Sequence, residues 1–252
     1  MNIKPLITAA IFLLMGSAAQ AGTIHYGTGT NDPWNSATND RAMDSAFGAG
    51  NWTKRWGFST GVFEDADFVF LDGGDGNAVD FASFLANNSA VIANWVAAGG
   101  RLFLNAAPNV GGSFDMGFGV RLNYPGYAGS VTVTDAGVAA GLTEGGLTTS
   151  YWGTSFAHAT VSGEISKLIA SGDGGTVFGA MQFGKGFVAF GGETTTNFHG
   201  PYADAQALRV NALRYVAHAA TQGGEVPEPA TVALVGMGLL AVCAVRRKAG
   251  RD

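Results

Sequence analysis

The chain reads as an α/β protein of three layers: a mostly parallel sheet flanked by helices, with an added β-hairpin and Gly-rich loops. Three stretches predict this. Asp67-Phe-Val-Phe-Leu71 is a nearly continuous apolar run, the pattern of a strand buried on both faces of a parallel sheet. Phe81, Phe84, Leu85, Ile92, Trp95 and Val96 then recur at helical spacing, and Gly99-Gly100 supplies a helix stop. Arg101-Leu-Phe-Leu-Asn105 returns as a second buried strand. Strand, helix and strand form a βαβ unit, because parallel neighbours need a crossover of this length.

The remaining elements follow in order. Residues 23–26 form a first strand, ended by Gly27-Thr-Gly29, and residues 31–39, polar with Pro33, form a loop. Residues 41–47 form a short helix stopped by Gly48 and Gly50, and the aromatic-rich residues 52–58 form a second strand. Asn87-Asn-Ser89 interrupts the central helix, with Asn88 or Ser89 capping a second piece. After Pro108 the pattern changes. A Gly-rich loop covers 111–119, short strands cover 120–124 and 131–134, and a helical turn covers 136–142. Residues 156–161 and 165–170 are further strands. Residues 177–183 and 187–190 make a hairpin around Gly184-Lys-Gly186. Residues 204–220 make the last helix, with Leu208, Ala212, Tyr215, Val216 and Ala219 as its apolar stripe.

Both ends carry processing patterns. Residues 1–21 read as a signal peptide: Lys4, an apolar stretch over 6–15, and Ala19-Gln-Ala21 as the site for signal peptidase, leaving Gly22 as the mature start. Residues 22–220 form the domain and 221–225 a linker. The tail, 226–252, opens on Val226-Pro227-Glu228-Pro229, whose prolines keep the segment extended and open to a protease. Sixteen uncharged residues, 230–245, form a short transmembrane helix, and Arg246-Arg247-Lys248 closes it as a cytoplasmic stop. This order of parts resembles the PEP-CTERM sorting signal of Gram-negative bacteria. The resemblance implies an exosortase-type protease as partner, temporary anchoring, removal of the span, and release to the cell surface or exterior in an exopolysaccharide and biofilm context.

Composition excludes several functions. Residues 22–225 carry nine Lys/Arg against seventeen Asp/Glu, a net charge of −8. No nucleic-acid partner or anionic membrane surface suits that balance. The single cysteine, Cys243, lies in the tail, so residues 22–225 hold no disulfide, thiolate metal site or thiol nucleophile.

Asp67-Phe-Val-Phe-Leu71, Trp95-Val-Ala-Ala-Gly-Gly-Arg-Leu-Phe-Leu104, Gly184-Lys-Gly-Phe-Val-Ala-Phe-Gly-Gly192 and Asn211-Ala-Leu-Arg-Tyr215 resemble phrases of the class I glutamine amidotransferase-like superfamily. The resemblance spans residues 67–219 and implies the three-layer, mostly parallel fold stated above. It departs at the chemistry. The family's nucleophilic Cys follows the strand that here ends in Asn105-Ala-Ala-Pro108, and no Gly-x-Ser-x-Gly elbow replaces it.

Three groups of residues remain as candidates. Asp72, Asp75, Asn77 and Asp80 form an acidic, Gly-rich loop after a strand, beside Asn105 in the neighbouring one; oxygen ligands on such a loop suit Ca²⁺, the one cofactor considered. The plainer reading is a solvated turn, with Asp80 favourably placed at a helix start. His158, Glu193 and His199 are candidate base, acid or metal-ligating groups. Trp34, Trp52, Trp56, Tyr124, Tyr127, Tyr151 and Trp152 are candidates for stacking on sugar rings, or for pinning loops and filling the core. The reading carried forward is an exported, exosortase-processed surface protein that binds glycan or protein without catalysis. Its alternative is a secreted metal-assisted hydrolase using Asp72, Glu193 and His199.

Overall fold

The computed structural model describes residues 22–220. In chain order, β1 (Thr23–Thr28), α1 (Thr38–Phe47), β2 (Thr53–Trp56), β3 (Ala66–Asp72), α2 (Ala78–Ala97) and β4 (Arg101–Asn105) make the first half. The second half contains β5 (Phe114–Gly117), β6 (Val120–Asn123), β7 (Ala128–Val133), α3 (Asp135–Ala139), β8 (Ser150–Ala157), β9 (Thr160–Ser162) and β10 (Ser166–Ser171). It ends with β11 (Thr176–Phe183), β12 (Gly186–Gly191), β13 (His199–Gly200) and α4 (Tyr202–Ala217). The signal peptide 1–21, the linker 221–225 and the tail 226–252 lie outside the described residues, as do Val226, Pro227, Glu228, Pro229, Arg246 and Arg247. Among the described residues, no helix is long and apolar enough to cross a membrane.

The strands join one sheet in the order β13-β8-β7-β10-β11-β12-β4-β3-β1-β2, with β5, β6 and β9 branching from β11. The expectation of a mostly parallel sheet is corrected: the sheet is mixed. From β12 through β4, β3 and β1 to β2 every pairing is parallel. From β11 outward to β13 every pairing is antiparallel. Connections account for part of this. Between β1 and β2 and between β3 and β4 the chain inserts a helix, which a parallel crossover requires. The β10–β11 and β11–β12 links are turns, and Gly184-Lys185 joins β11 to β12 with Gly184 at φ 59°, the left-handed conformation a two-residue hairpin needs.

Helices cover both faces of the parallel part, and strand alternation divides the core between them. Phe68, Phe70 and Phe103 point to the side of α1 and α4, with Met43, Leu208 and Leu213. Val69, Leu71, Leu102 and Leu104 point to the side of α2, with Phe81, Phe84, Leu85 and Ile92. The expected break at Asn87-Asn-Ser89 does not occur. The Asn88 side chain donates to the Phe84 carbonyl one turn back at 2.8 Å and stays within a continuous helix. Residues 156–161 split into the end of β8 and the start of β9, with His158 at the bend between them.

Candidate functional site

The carboxyl ends of β3, β4 and β12 lie side by side, in the place where open α/β sheets bind ligands. A polar node is buried there. Asp72 ends β3 with 2% of its surface exposed. Its Oδ1 accepts hydrogen bonds from Gly74 N (2.8 Å) and Asn105 Nδ2 (3.2 Å), and its Oδ2 accepts from Asn39 Nδ2 (2.7 Å). Asn105, opposite Asp72 in the β4 register, also clamps the next strand: Nδ2 donates to the Glu193 carbonyl at 2.9 Å and Oδ1 accepts from Glu193 N at 3.1 Å. Before it, Gly192 packs so tightly that a Cβ would lie 2.0 Å from the Ala159 carbonyl oxygen, so only glycine fits.

Glu193 carries the node to α4. Its Oε2 pairs with Arg209 Nη2 at 3.1 Å, and the same nitrogen donates to the Thr194 carbonyl. Both side chains are buried. Burial pushes the Glu193 carboxyl up; Arg209 pulls it down and Asp72 pushes it further up. Asp72 is likewise raised by burial, against Arg209 and its three hydrogen-bond donors. His199 stacks on Phe156 at 3.9 Å between centroids and holds Nε2 2.9 Å from Thr194 Oγ1. That hydroxyl has one proton and lies within reach of the Ser155 and Phe156 carbonyls, so the imidazole donates to it. Burial, then Arg209, drives the His199 pKa down to about 3. The imidazole is therefore neutral at pH 7.

Glu193, Arg209 and His199 share a space of about 10 Å³ with Phe156, Thr196 and Leu208. That is room for about one water. The grooves of about 350 Å³ lie elsewhere, one between α2 and β5, the other at the amino ends of β1, β3 and β4. The structure thus brings Asp72, Asn105, Glu193 and His199 together but leaves them no room for a substrate.

Above the node lies a run of rings. Phe198, Trp34, His158, Tyr127 and Tyr124 follow one another with centroid separations of 5.7, 5.4, 5.1 and 6.1 Å. All four contacts are edge-to-face, the favoured aromatic geometry. Tyr127 is 61% exposed, whereas His158 is largely covered. Asp75 and the loop after β4 position this ledge. Asp75 Oδ2 accepts from Trp34 N at 3.1 Å, and Oδ1 accepts from Asn109 Nδ2 at 2.6 Å. Trp34 sits at φ 53°, a conformation that the Asp75 bond helps to hold. Pro108, bridged to Asp75, offers its carbonyl to His158 Nδ1 at 2.9 Å. A carbonyl only accepts, so Nδ1 carries the proton and, in the neutral ring, Nε2 is left as an acceptor. The Tyr124 and Tyr127 hydroxyls add a polar pair 3.3 Å apart.

Several expected partners are thereby separated. His158 belongs to the ledge and not to the node with Glu193 and His199. Asp75 serves Trp34 and Asn109, while Asp80 is exposed in the first turn of α2. The oxygens of Asp72 and Asp75 that a Ca²⁺ would need face N–H donors. Among the described residues, no three His, Cys, Asp or Glu side chains form a group that could hold a metal. Of the aromatic candidates, Trp34, Tyr124 and Tyr127 reach the ledge. Tyr151 is in the core, Trp52 packs on Tyr26, and Trp56 and Trp152 are exposed apart from it. Sequence reasoning missed Arg209 and Asn39. Their signal was available for Arg209, since Ala205, Arg209, Ala212 and Val216 share one helix face and all are buried.

Residues 225–248 match the PEP-CTERM protein-sorting motif. The chain is thus an exosortase-targeted protein: it is exported, held briefly at the membrane by its C-terminal tail, and then placed at the cell surface or outside. No curated protein matches the sequence. Among solved structures, the chain is similar to a β-galactosidase from Rahnella sp. R3 (14% identity, TM-score 0.46), covering 77% of this chain and 31% of that one. It is also similar to an exo-β-1,4-mannosidase from Opitutaceae bacterium strain TAV5 (12% identity, TM-score 0.44; 77% and 36% covered). A cytoplasmic protein from Salmonella typhimurium LT2 shows 12% identity and a TM-score of 0.46, with 79% and 100% covered. The chain spans about a third of the length of the two glycosidases. Likeness at this level assigns neither fold nor activity to the chain.

Proposed function

We propose that the released protein is a non-catalytic binding module that engages exopolysaccharide through the ring ledge. One observation carries the reading. At the carboxyl end of the parallel strands, Tyr127 is exposed and Trp34, Tyr124 and Phe198 are half-buried around a covered His158, while the carboxylates beneath are buried and already partnered. Sugar rings present C–H groups to the faces of aromatics and hydroxyls to acceptors at their edges, and the ledge offers both. An exported, exosortase-targeted chain would meet such polymers in the biofilm matrix. Signal peptidase would remove residues 1–21 beforehand, exposing Gly22.

The body is read as an amidotransferase-like module that has lost its reaction. After β4 the chain reads Ala106-Ala107-Pro108, and Asn105 at the strand's end is committed to clamping Glu193. The rival reading, a hydrolase built on Asp72, Glu193 and His199, draws support from their proximity. It requires the node to open, and Ca²⁺ or another metal to displace its N–H donors.

Calorimetric titration of the released protein with exopolysaccharide purified from the producing strain tests the proposal. Saturable binding that Trp34→Ala and Tyr127→Ala weaken is expected. Equal binding by wild type and both variants would place the ligand elsewhere.

A further inference from the structure

The tail and the ledge leave the domain at opposite ends. The chain exits the described structure at Ala220, and two side chains pin that exit. Arg101 Nε donates to the Ala219 carbonyl at 3.0 Å, and Gln182 Nε2 donates to the Ala220 carbonyl at 2.7 Å. Arg101 is the first residue of β4, and Gln182 pairs with Phe187 near the start of β12. The exit is thus fixed at the amino ends of the parallel strands. Gly22 is at the same end, with Asp67, Arg101 and His218 lining one groove there. The rings lie beyond the carboxyl ends of the same strands, marked by Asp72 and Asn105.

Nine residues, 221–229, separate Ala220 from the apolar run that begins at Ala230. Fully extended, they reach about 30 Å. A domain of this size is about 40 Å across. The connection is therefore too short to pass around the domain and let the ledge face the bilayer while the tail is inserted. From this geometry we infer that the ledge is turned away from the membrane during anchoring, so that the protein takes up glycan before exosortase cuts it free. The face toward the bilayer is the amino end, which includes Lys185 in the β11–β12 turn. The glycan part of this inference rests on the function proposed above; the orientation does not.

Two measurements on the full chain, reconstituted without exosortase in phosphatidylcholine/phosphatidylglycerol vesicles, separate these parts. Residues 22–225 lack cysteine, so in a Cys243→Ser background a single thiol can report position. Lys185→Cys marks the exit end. Gly112→Cys marks the ledge end, where a Cβ meets nothing within 4 Å. With a fluorophore on each and a quencher on the lipid headgroups, stronger quenching at 185 than at 112 is expected; equal or reversed quenching overturns the orientation. Binding of purified exopolysaccharide is then compared between anchored and released protein. Affinities equal to within about twofold support capture before release. Binding by the released form alone overturns it. If neither form binds, the glycan reading fails, while the quenching pair still decides the orientation.

Discussion

Two layers at the carboxyl end of the parallel strands divide the polar chemistry of this protein between them. The lower layer, Asp72, Asn105, Glu193, Arg209 and His199, holds the residue types that catalysis uses, each buried and internally partnered. The upper layer holds Phe198, Trp34, Tyr127 and Tyr124, rings and hydroxyls with partial access to solvent, around a covered His158. Residue type alone would favour the lower layer as the site. Access favours the upper one. A carboxylate held by buried donors stabilises a fold, and a ring at the mouth of the sheet can meet a ligand.

The strongest way to break this contrast is to unpair the node. Arg209→Met should destabilise the protein by about 3–5 kcal/mol, because Glu193 would keep a buried carboxyl without its partner. Urea unfolding measures this. Adding Glu193→Leu to that variant should restore much of the loss, since the penalty lies in the unpaired group. A small effect of Arg209→Met would mean that the node is not the structural layer.

Acid provides the next probe. His199 titrates at about 3 in the folded protein against 6.5 when unfolded. Below about pH 6.5 the unfolded chain takes up a proton that the folded chain refuses. Stability from this group therefore falls as pH drops, by about 3 kcal/mol at pH 4, and levels off below about 3. Asp72 and Glu193 act with the opposite sign: their raised pKa values remove stability as pH rises above the usual carboxylate range. Thermal melts from pH 7 to pH 4 should show a decline in wild type that flattens in His199→Gln.

The upper layer should respond in binding. Trp34→Ala should weaken glycan affinity about tenfold or more, roughly 1.4 kcal/mol, with a smaller loss of stability than Arg209→Met causes. Asp75→Ala should give a milder loss of several-fold, because Asp75 positions the Trp34 backbone and the Pro108 loop without meeting the ligand. Titration of both variants against the same polysaccharide checks the order.

The half of the fold written in local patterns was legible. The apolar runs of β3 and β4, the helix between them, the β11–β12 hairpin and the last helix each announce themselves within a short window. In the antiparallel half several strands were placed, but apart from the β11–β12 hairpin their pairing was not legible. His199 pairs with Gly153 and Gly200 with Trp152, contacts set by distant packing on a strand of only two residues. That is why the burial of His199 does not show in its local sequence. The candidate site divides in the same way. Asp72 and Asn105 were placed side by side by their strands, whereas the ledge gathers residues 34, 124, 127, 158 and 198, which no sequence window contains. Direction was also hidden. Parallel pairing needs a crossover, but the links beyond β4 do not by themselves reveal which strands pair.

The most direct test of binding without catalysis is to incubate the released protein with the purified exopolysaccharide and follow retention and product formation together. Wild type and Glu193→Gln should both bind, Trp34→Ala should bind weakly, and none should shorten the polymer. Cleavage by wild type that Glu193→Gln abolishes would contradict the account and make the buried node an active site.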